Sequence, residues 1–433
     1  MEYDTYYEGL TPGSLVPALI VSFATDMTFQ IKEQSIIREL FLTAIPSENF
    51  ACQNEYQGHG RYVPDYEAQT LSILEEIRNA LNTGGGQGRG VMQTVFLDDL
   101  GQKQLVRKIL SDFYGPNHPA TSYVRQKPCD DRAIAIELYA VYPRKNDSTL
   151  SITNLDDKVT LLRHDGFQWL FLGDILPDEA PVGAYDRSAS AFTKLNDLLE
   201  KQGFQPEQIV RTWLYQGLLV LPEGDTQRYK ELNRARTDYF AGREFLAATL
   251  PKNYQGPTVY PASTGIGTDD VDLVAGAIAF ATNRDDVITV PLENPNQTSA
   301  FEYGAVYSPQ SPKFARAMGM LLGESLKIFV SGTAGITNSE SRFENDPVGQ
   351  TELTLDNIAA LISGENLQKH GIDGFSPVLA DLAVARVYVK RIDDYEAIRS
   401  VCERRCPNTP MLFTIADVCR PELLVEIEGI ITM

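Results

Sequence analysis

Two glutamates stand two residues apart near the end of the chain, in the segment LLVEIEG (423–429). Alternate side chains of a β-strand share a face, so Glu426 and Glu428 would face one side and Val425 and Ile427 the other. A carboxyl group enclosed in a cleft has a raised pKa and can donate a proton near neutral pH. The pair is therefore a candidate general acid. The alternative interpretation is an edge strand with a solvated acidic face.

Arginine side chains that could bind an anionic ligand occur mainly in the second half of the chain. Arg236 would share one helix face with Asn233 and Phe240, and we expect that face to point inward. A solvated arginine on the helix surface is the alternative. The other arginines of this group are Arg234, Arg316, Arg391 and Arg399.

The net charge of −20 restricts the class of ligand. Nucleic acid binding needs clustered lysine and arginine, so this class of partner is disfavoured. A small anion would be repelled at long range, and a local arginine cluster would have to override that repulsion within a Debye length of about 8–10 Å. An anionic ligand thus requires the arginines to converge on one site.

Cysteine, histidine and glycine patterns give no sign of a metal or a cofactor. Cys402 and Cys406 form a CxxxC pair without a suitable third ligand, and we interpret them as reduced core thiols. The glycine-rich segment 84–90 follows a predicted helix and precedes a strand, whereas a phosphate-binding loop has the opposite order. The N-terminus lacks a signal peptide and no apolar run approaches the ~20 residues of a membrane span, which predicts a cytoplasmic protein without membrane contact.

The elements that would position these residues occur three times along the chain. In each copy a β-rich stretch precedes an amphipathic helix, and a strand, a helix and two strands follow. The β-rich stretches are 15–25, 167–176 and 325–336, the first helices are 69–86, 191–204 and 350–367, the strand–helix–strand segments are 91–124, 209–267 and 382–416, and the last strands are 133–141, 271–280 and 422–430.

Each unit therefore reads β-β-loop-α-β-α-β-β, an α+β fold with helices on one face of a mixed sheet. We place the units at residues 1–145, 150–282 and 300–433, each of ordinary single-domain size. In this alignment Glu426 corresponds to Glu137 in the first unit and to Gly276 in the second. A carboxylate present in some copies and absent from another suggests that the clefts between units have specialised.

Several segments of this repeat resemble the YjgF/RidA family. The strand pair in FARAMGMLLGESLKIFVSGTAGI (314–336), the helix QTELTLDNIAALI (350–362) and the closing strand LLVEIEGI (423–430) carry the resemblance. That family forms homotrimers with clefts between subunits. The resemblance implies that this chain, with three tandem units, is a single-chain pseudo-trimer.

Residues 209–430 resemble a narrower family, the chorismatases, which hydrolyse the enolpyruvyl ether of chorismate. The similar segments are ELNRARTDYF (231–240), PASTGIG (261–267), ENPNQTSAFEYG (293–304), KFARAM (313–318), FVSGTAGI (329–336) and DVCRPELLVEIEG (417–429). The resemblance implies that Glu426 protonates the enolpyruvyl methylene group without metal or cofactor, and that pyruvate is released. Residues 1–208 resemble only the general fold.

The resemblance also implies roles for further residues. Arg236, Arg316, Tyr303 and, as a fourth choice, Arg399 would bind the carboxylates of the substrate. Cys419, seven residues before Glu426, and Gly332 across the pocket resemble the branch that releases 3-hydroxybenzoate. Other branches release a dihydroxycyclohexadiene carboxylate or 4-hydroxybenzoate. A small core residue is the alternative interpretation of Cys419.

Two functions of other classes remain possible at this point. The first is a RidA-like imine deaminase or a binder of small molecules. RidA deaminases carry an arginine fifteen residues before the first glutamate of the closing strand, where this chain has Met411, so deamination is disfavoured. The second is a non-catalytic pseudo-trimer that acts through protein contacts. We expect a small anionic substrate and a monomer or weak oligomer.

Overall fold

The computed structural model describes residues 19–20, 27–33, 37–47, 64–83, 87–143, 150–252, 254–304 and 310–433. The predicted strand at 15–25 and the glycine-rich segment at 84–90 lie partly outside these ranges. None of the helices in the described ranges is long and apolar enough to cross a lipid bilayer.

In its described residues the first unit has a six-stranded sheet and two α-helices. Its elements are β1 (Leu19–Ile20), β2 (Met27–Glu33), β3 (Ile37–Ala44), α1 (Tyr66–Leu81), β4 (Arg89–Leu97), α2 (Lys103–Tyr114), β5 (Ala120–Arg125) and β6 (Ile134–Pro143). Asp65 caps α1 by accepting a hydrogen bond from the backbone N–H of Ala68 at 2.9 Å. The helix buries Ile73, Leu74 and Ile77 on its inner face.

The second unit repeats this arrangement and adds a short hairpin. Its elements are β7 (Ser151–Asp156), β8 (Val159–His164), β9 (Phe167–Ile175), α3 (Ala184–Lys201), β10 (Ile209–Gly217), β11 (Pro222–Glu223), β12 (Thr226–Gln227), α4 (Arg228–Phe240), β13 (Ala262–Thr268) and β14 (Leu273–Thr282). Helix α3 buries Phe192, Leu195 and Leu199, which recur at the spacing of one helix face.

The third unit ends the chain. Its elements are β15 (Val287–Leu292), β16 (Ala317–Leu322), β17 (Ser325–Ala334), β18 (Ile336–Thr337), β19 (Glu340–Ser341), α5 (Pro347–Ile362), α6 (Gly364–Lys369), β20 (Leu382–Val389), α7 (Tyr395–Arg405), β21 (Met411–Ile415) and β22 (Val425–Thr432). Asp346 caps α5, and Pro347 occupies the first helical position, where its missing N–H costs nothing.

The three sheets have one topology. Their strand orders are β1-β2-β3-β6-β4-β5, β7-β8-β9-β14-β10-β13 and β15-β16-β17-β22-β20-β21. Among the described strands, the last pair of each sheet is parallel and the others are antiparallel. Helix α2, α4 or α7 forms the crossover that parallel strands require. The predicted α+β class and the three tandem units are confirmed. Each unit begins with three strands, so the prediction of two was wrong.

The predicted division at residues 145, 150, 282 and 300 stays a prediction, with one adjustment. Strand β15 begins at residue 287 and pairs with β16 in the third sheet. The stretch left between the second and third units by the sequence division therefore belongs structurally with the third unit.

The strand register corrects the predicted alignment of the units. In each unit the strand after the first helix is β4, β10 or β20. Near its start, the register of this strand against the closing strand shifts by one residue. The pairs that stand two residues after this shift are Thr94–Glu137, Trp213–Gly276 and Arg386–Glu428. Glu428, and not Glu426, is therefore equivalent to Glu137 and Gly276.

The equivalents of Glu426 are Ala135 and Val274, so this carboxyl group is present in the third unit alone. The predicted alignment of Glu426 was wrong by two residues. A slip of two residues leaves every side chain on the same face of the strand, so the hydrophobic pattern could not reveal it.

A buried ion pair joins the first and third units. Lys327 of β17 donates hydrogen bonds to both carboxylate oxygens of Glu39 in β3, at 2.7 and 2.9 Å. The hydroxyl of Thr432 also donates to Glu39, at 2.8 Å, and the Tyr139 hydroxyl donates to it as well. Burial alone would raise the pKa of Glu39, but Lys327 and the Tyr139 and Thr432 hydroxyl groups together outweigh burial, and the pKa is lowered.

This pair predicts an asymmetry between single and double substitutions. Lys327→Met should lower the free energy of unfolding by about 3–5 kcal/mol, because Glu39 would remain buried without its cation. The double variant Lys327→Met with Glu39→Leu should recover most of that loss, since no uncompensated charge remains. Urea unfolding at neutral pH measures both. A double variant no more stable than the single one would contradict this account.

Candidate functional site

A pocket lies between the second and third units. Strands β13 and β17 contact each other across this boundary, and the first turn of α4 contributes Tyr229 and Lys230 to the lining. The residues that line the pocket are Gln227, Tyr229, Lys230, Ser263, Gly265, Tyr303, Pro312, Phe314, Arg316, Gly332, Ala334, Ile336, Cys419, Arg420 and Glu426. Five of the seven residues predicted from the sequence are therefore together: Tyr303, Arg316, Gly332, Cys419 and Glu426.

A β-bulge in β17 shapes the floor of this pocket. Val330 pairs with Gly429 and Thr333 with Ile427, so two residues of β17 stand against one of β22. One of these two residues is Gly332. A Cβ atom at this position would overlap the Glu426 carboxyl oxygen and would stand 3.2 Å from Thr264 Cγ2. The absence of a side chain here leaves the space that the Glu426 carboxyl group occupies.

Glu426 is a buried carboxyl group that faces the pocket. Its strand, β22, lies between β17 and β20 in the sheet, so the alternative of an exposed edge strand was wrong. The residue is only 5% exposed, and among the described residues none donates a hydrogen bond to its side chain. Burial, followed by the negative charge of Glu428, raises the pKa of Glu426 to about 8, against the opposing effect of Arg316 and Arg211. Glu426 is therefore protonated at neutral pH.

Glu428 is equally buried, but its carboxyl group is ionised. Its carboxylate accepts hydrogen bonds from Trp213 at 2.9 Å, Tyr388 at 3.0 Å and Arg386 at 3.2 Å. Arg211 and Thr264 donate to its other oxygen. Burial alone would raise the pKa of Glu428, but the two arginines and these donors lower it. Two carboxyl groups on one strand face thus differ in protonation at neutral pH.

Arg316 and Tyr303 form a polar pair on the pocket wall. The Nη2 atom of Arg316 donates to the Tyr303 hydroxyl at 2.6 Å and to the Thr298 carbonyl at 3.1 Å. Arg316 is 4% exposed, and its backbone N–H donates to the Glu293 carboxylate at 3.3 Å. Burial would lower the pKa of Arg316, but Tyr303 and Glu293 raise it. The guanidinium is therefore a charged group in the pocket.

Arg236 lies immediately behind the pocket. Its Nη1 atom donates to the hydroxyl of Ser263, a lining residue, at 3.2 Å, and its Nη2 atom donates to Asn233 at 2.6 Å. As predicted, this face of α4 points inward, and both Asn233 and Phe240 are buried. No carboxylate in the described part of the chain forms an ion pair with Arg236, and burial lowers its pKa. Arg236 is therefore a buried arginine one side chain behind the pocket wall, without a carboxylate partner in the described residues.

The pocket contains residues that the sequence did not point to. Tyr229 stands four and seven residues before Asn233 and Arg236, so extending the same helix face backwards would have found it. Arg420 donates to the Ser339 carbonyl at 2.8 Å.

Cys419, which was predicted, is half-buried, and burial together with Glu426 raises the pKa of its thiol to about 12.

The structure does not bring Arg399 to the pocket, which corrects its predicted place in the site. Arg399 is exposed on α7 and donates to Glu403 at 2.6 Å. Arg391 is exposed too and donates to Asp394 at 2.6 Å. The reason is that α7 buries its other face, with Ile398, in the hydrophobic core of the third unit.

The equivalent cleft between the first and second units is filled. Gly332 corresponds there to Asp174, which stands in the matching bulge of β9, and Lys103 donates to both Asp174 oxygens at 2.8 and 2.9 Å. Gly265 corresponds to Tyr123, which is 1% exposed. An ion pair and an aromatic ring thus occupy the space that is open in the pocket of the second and third units.

Over the described ranges no group of three or more His, Cys, Asp or Glu side chains could hold a metal ion. Cys402 and Cys406 are buried and form no disulfide. What the pocket offers is a protonated carboxyl group beside charged guanidinium and hydroxyl groups. Such an arrangement can bind a small anion and transfer a proton to it.

No protein-family model matches the chain. A 3-hydroxybenzoate synthase from Streptomyces hygroscopicus is 32% identical over 277 residues, which are 62% of this chain and 75% of that protein. A chorismatase from Streptomyces rapamycinicus is 33% identical over 276 residues, 62% of this chain and 78% of that protein. A crystal structure of a chorismatase covers 81% of this chain and 95% of its own, with a TM-score of 0.60 and 24% identity, and shows a similar fold.

The raised pKa of Glu426 predicts how stability depends on pH. Between its ordinary pKa in the unfolded chain and about 8, the folded protein binds more protons, so the free energy of unfolding falls as pH rises through this window. Glu426→Gln removes this effect. From pH 5 to pH 9 the wild type should therefore lose stability that the variant keeps. The difference in free energy of unfolding, variant minus wild type, should grow by on the order of 3–5 kcal/mol, which urea unfolding measures.

Glu396→Gln is the matched control, because Glu396 is exposed on α7. Its stability relative to the wild type should not change across the same pH range. A difference between Glu426→Gln and the wild type that stays constant from pH 5 to pH 9 would contradict the protonated state assigned to Glu426.

Proposed function

Because the chain belongs to the chorismatase family, we propose that it hydrolyses the enolpyruvyl ether of chorismate and releases pyruvate. One observation carries the proposal: Glu426, a carboxyl group with a pKa of about 8, faces the same pocket as the Arg316–Tyr303 pair. An enol ether is cleaved after its methylene carbon takes up a proton, and chorismate is a dicarboxylate. The pocket combines an acid for the first requirement with cations for the second.

In the proposed first step Glu426 is the catalytic acid. The π electrons of the enol ether form a new C–H bond with the Glu426 proton, which leaves a carboxylate on Glu426 and an oxocarbenium ion on the substrate. Water, or a hydroxyl group of the substrate, then captures this cation. With water, the attacking molecule gives a proton back to the Glu426 carboxylate and forms a hemiketal. The hydroxyl proton of the hemiketal then passes to the ring oxygen as their C–O bond breaks, so that pyruvate and a ring alcohol separate. A positioned general acid contributes about 10²–10⁴ in rate to such a step.

Substrate carboxylates would bind to the cations of the pocket. Arg316 and Tyr303 present adjacent donors on one wall, at a mutual distance of 2.6 Å. Arg236 would act from behind Ser263, whose hydroxyl accepts a hydrogen bond from it at 3.2 Å. Buried cations without a full complement of carboxylates favour an anionic ligand because a low-dielectric site strengthens their attraction. Arg399 has no place in this proposal.

We further propose that the aromatic product is 3-hydroxybenzoate. Pyruvate and 3-hydroxybenzoate together have the composition of chorismate, so a water taken up in hydrolysis is balanced by a water lost from the ring. Cys419 lines the pocket with Gly332 and Glu426, and one relative is named a 3-hydroxybenzoate synthase. If the ring did not lose water, the product would be a dihydroxycyclohexadiene carboxylate.

The acid role predicts a selective loss in one variant. Glu426→Gln keeps the side-chain shape but cannot donate the proton, so kcat should fall about 10²–10⁴-fold while chorismate binding survives. Lactate dehydrogenase coupled to pyruvate release measures the rate, and Glu396→Gln serves as the surface control. Full activity in Glu426→Gln would exclude this mechanism, and no pyruvate from the wild type would exclude the function.

The proposed product predicts a different outcome for Cys419→Ala. Pyruvate release should remain largely intact, because the proton comes from Glu426. The ring product should shift from 3-hydroxybenzoate towards the dihydroxycyclohexadiene carboxylate, which chromatography separates. An unchanged product in Cys419→Ala would show that the thiol does not direct the ring chemistry.

A further inference from the structure

We propose that Glu428 is a positioning residue whose buried negative charge keeps Glu426 protonated and thereby ready to act as an acid. This inference deepens the proposed function and rests on it for its meaning in catalysis. It concerns a residue outside the lining of the pocket, since Glu428 faces the interior where the three units meet.

The surroundings of Glu428 hold it in the ionised form. Two arginines, Arg211 and Arg386, donate to its two oxygens, and both arginines are almost fully buried. Three neutral donors complete the set: Trp213, Tyr388 and Thr264. A carboxylate with this many donors cannot take up a proton without losing a cationic partner, so its charge is fixed.

The surroundings of Glu426 are the opposite. It stands two residues along the same strand and on the same face, about 7 Å from Glu428 between backbone atoms. No hydrogen-bond donor in the described part of the chain reaches its carboxyl group. A fixed negative charge at this distance in a buried site disfavours a second one, and it adds to the larger effect of burial in keeping Glu426 protonated.

Other groups around Glu426 do not remove this effect. The charged and titratable groups that face it from the packed elements are Arg211 on β10, Tyr229 on α4, Arg316 before β16, Tyr388 on β20, and Cys419 before β22. The arginines oppose protonation, but burial and Glu428 act more strongly. The phenols and the thiol are neutral at neutral pH because burial raises the pKa of each.

Thr264 connects Glu428 to the floor of the pocket. Its hydroxyl donates to Glu428 and accepts hydrogen bonds from Arg211 at 2.6 Å and from the Gly332 backbone N–H at 3.0 Å. Gly332 is the residue whose missing side chain leaves room for the Glu426 carboxyl group. The same network therefore fixes both the charge near Glu426 and the backbone against which it packs.

The first unit provides a matched control for this idea. Glu137 occupies the position of Glu428 in its own sheet and forms a two-bond ion pair with Arg386, at 2.7 and 2.8 Å. Two residues before it stands Ala135 instead of a carboxyl group. Glu137 thus shares its partner Arg386 with Glu428, but it is not among the groups that shift the pKa of Glu426.

The experiment follows the protonation of Glu426 in the full chain. The infrared band of a buried protonated carboxyl group is recorded across pH 5–10, and the part lost in Glu426→Gln belongs to Glu426. Its midpoint should lie near pH 8 in the wild type. In Glu428→Gln the midpoint should fall by about one pH unit or more, because a like charge has been removed. In Glu137→Gln it should stay where it is.

The pH profile of kcat/KM for pyruvate release should move in parallel. Activity is lost as pH rises through the midpoint of Glu426, so this limb should shift to lower pH in Glu428→Gln alone. An unchanged midpoint in a folded Glu428→Gln protein would overturn the proposal. An equal shift in Glu137→Gln would also overturn it, since the effect would then belong to the network as a whole.

The effect of Glu428 on Glu426 can be measured even if Glu428→Gln does not fold or the wild type releases no pyruvate. If Glu428→Gln does not fold, the double variant Arg211→Met with Glu428→Gln removes an anion and a cation together, and its midpoint must still fall, by less. A midpoint that is unchanged or higher in this variant would overturn the proposal. If the wild type releases no pyruvate, the proposed function fails, but the infrared midpoints still test the effect of Glu428 on Glu426.

Discussion

The carboxylate of Glu428 is the point at which the three units of the chain meet. Its donors come from β10 and β13 of the second unit and from β20 of the third, and Arg386 extends the network to Glu137 in the first. Charges buried this deeply are stable only when their geometry and hydrogen bonds are complete. The network therefore requires all three sheets to be in place. It also fixes β22, the strand that carries Glu426 to the pocket.

One topology has produced clefts with different contents. In the cleft between the second and third units, Gly332 has no side chain, and the Glu426 carboxyl group occupies part of the space this leaves. In the cleft between the first and second units, Asp174 and its partner Lys103 close the same space with an ion pair. The position of Glu426 is taken there by Val274. A covalent pseudo-trimer can specialise its clefts in this way, because each unit mutates independently, whereas identical subunits of a homotrimer change together.

The sequence predicted the repeated units because strand and helix periodicities are properties of local segments. The sequence could not give the exact alignment of the units, because a shift of two residues leaves each side chain on the same face of its strand. Glu426 was therefore matched with Glu137. Arg316 was predicted through a family resemblance and not through spacing; it lies in the pocket, and its proposed role stays a prediction. Arg399 was misplaced because its helix buries a different face. The Glu428 network depends on contacts among three units and has no local signature.

The proposed reaction depends on one step, in which a proton passes from Glu426 to the methylene carbon of the substrate. The most direct measurement is chorismate turnover in D₂O, with immediate trapping of pyruvate as lactate by lactate dehydrogenase and analysis of its methyl group by mass spectrometry. We expect one deuterium in the methyl group and a normal solvent isotope effect on kcat/KM. A methyl group without deuterium, formed at the same rate as in H₂O, would contradict it.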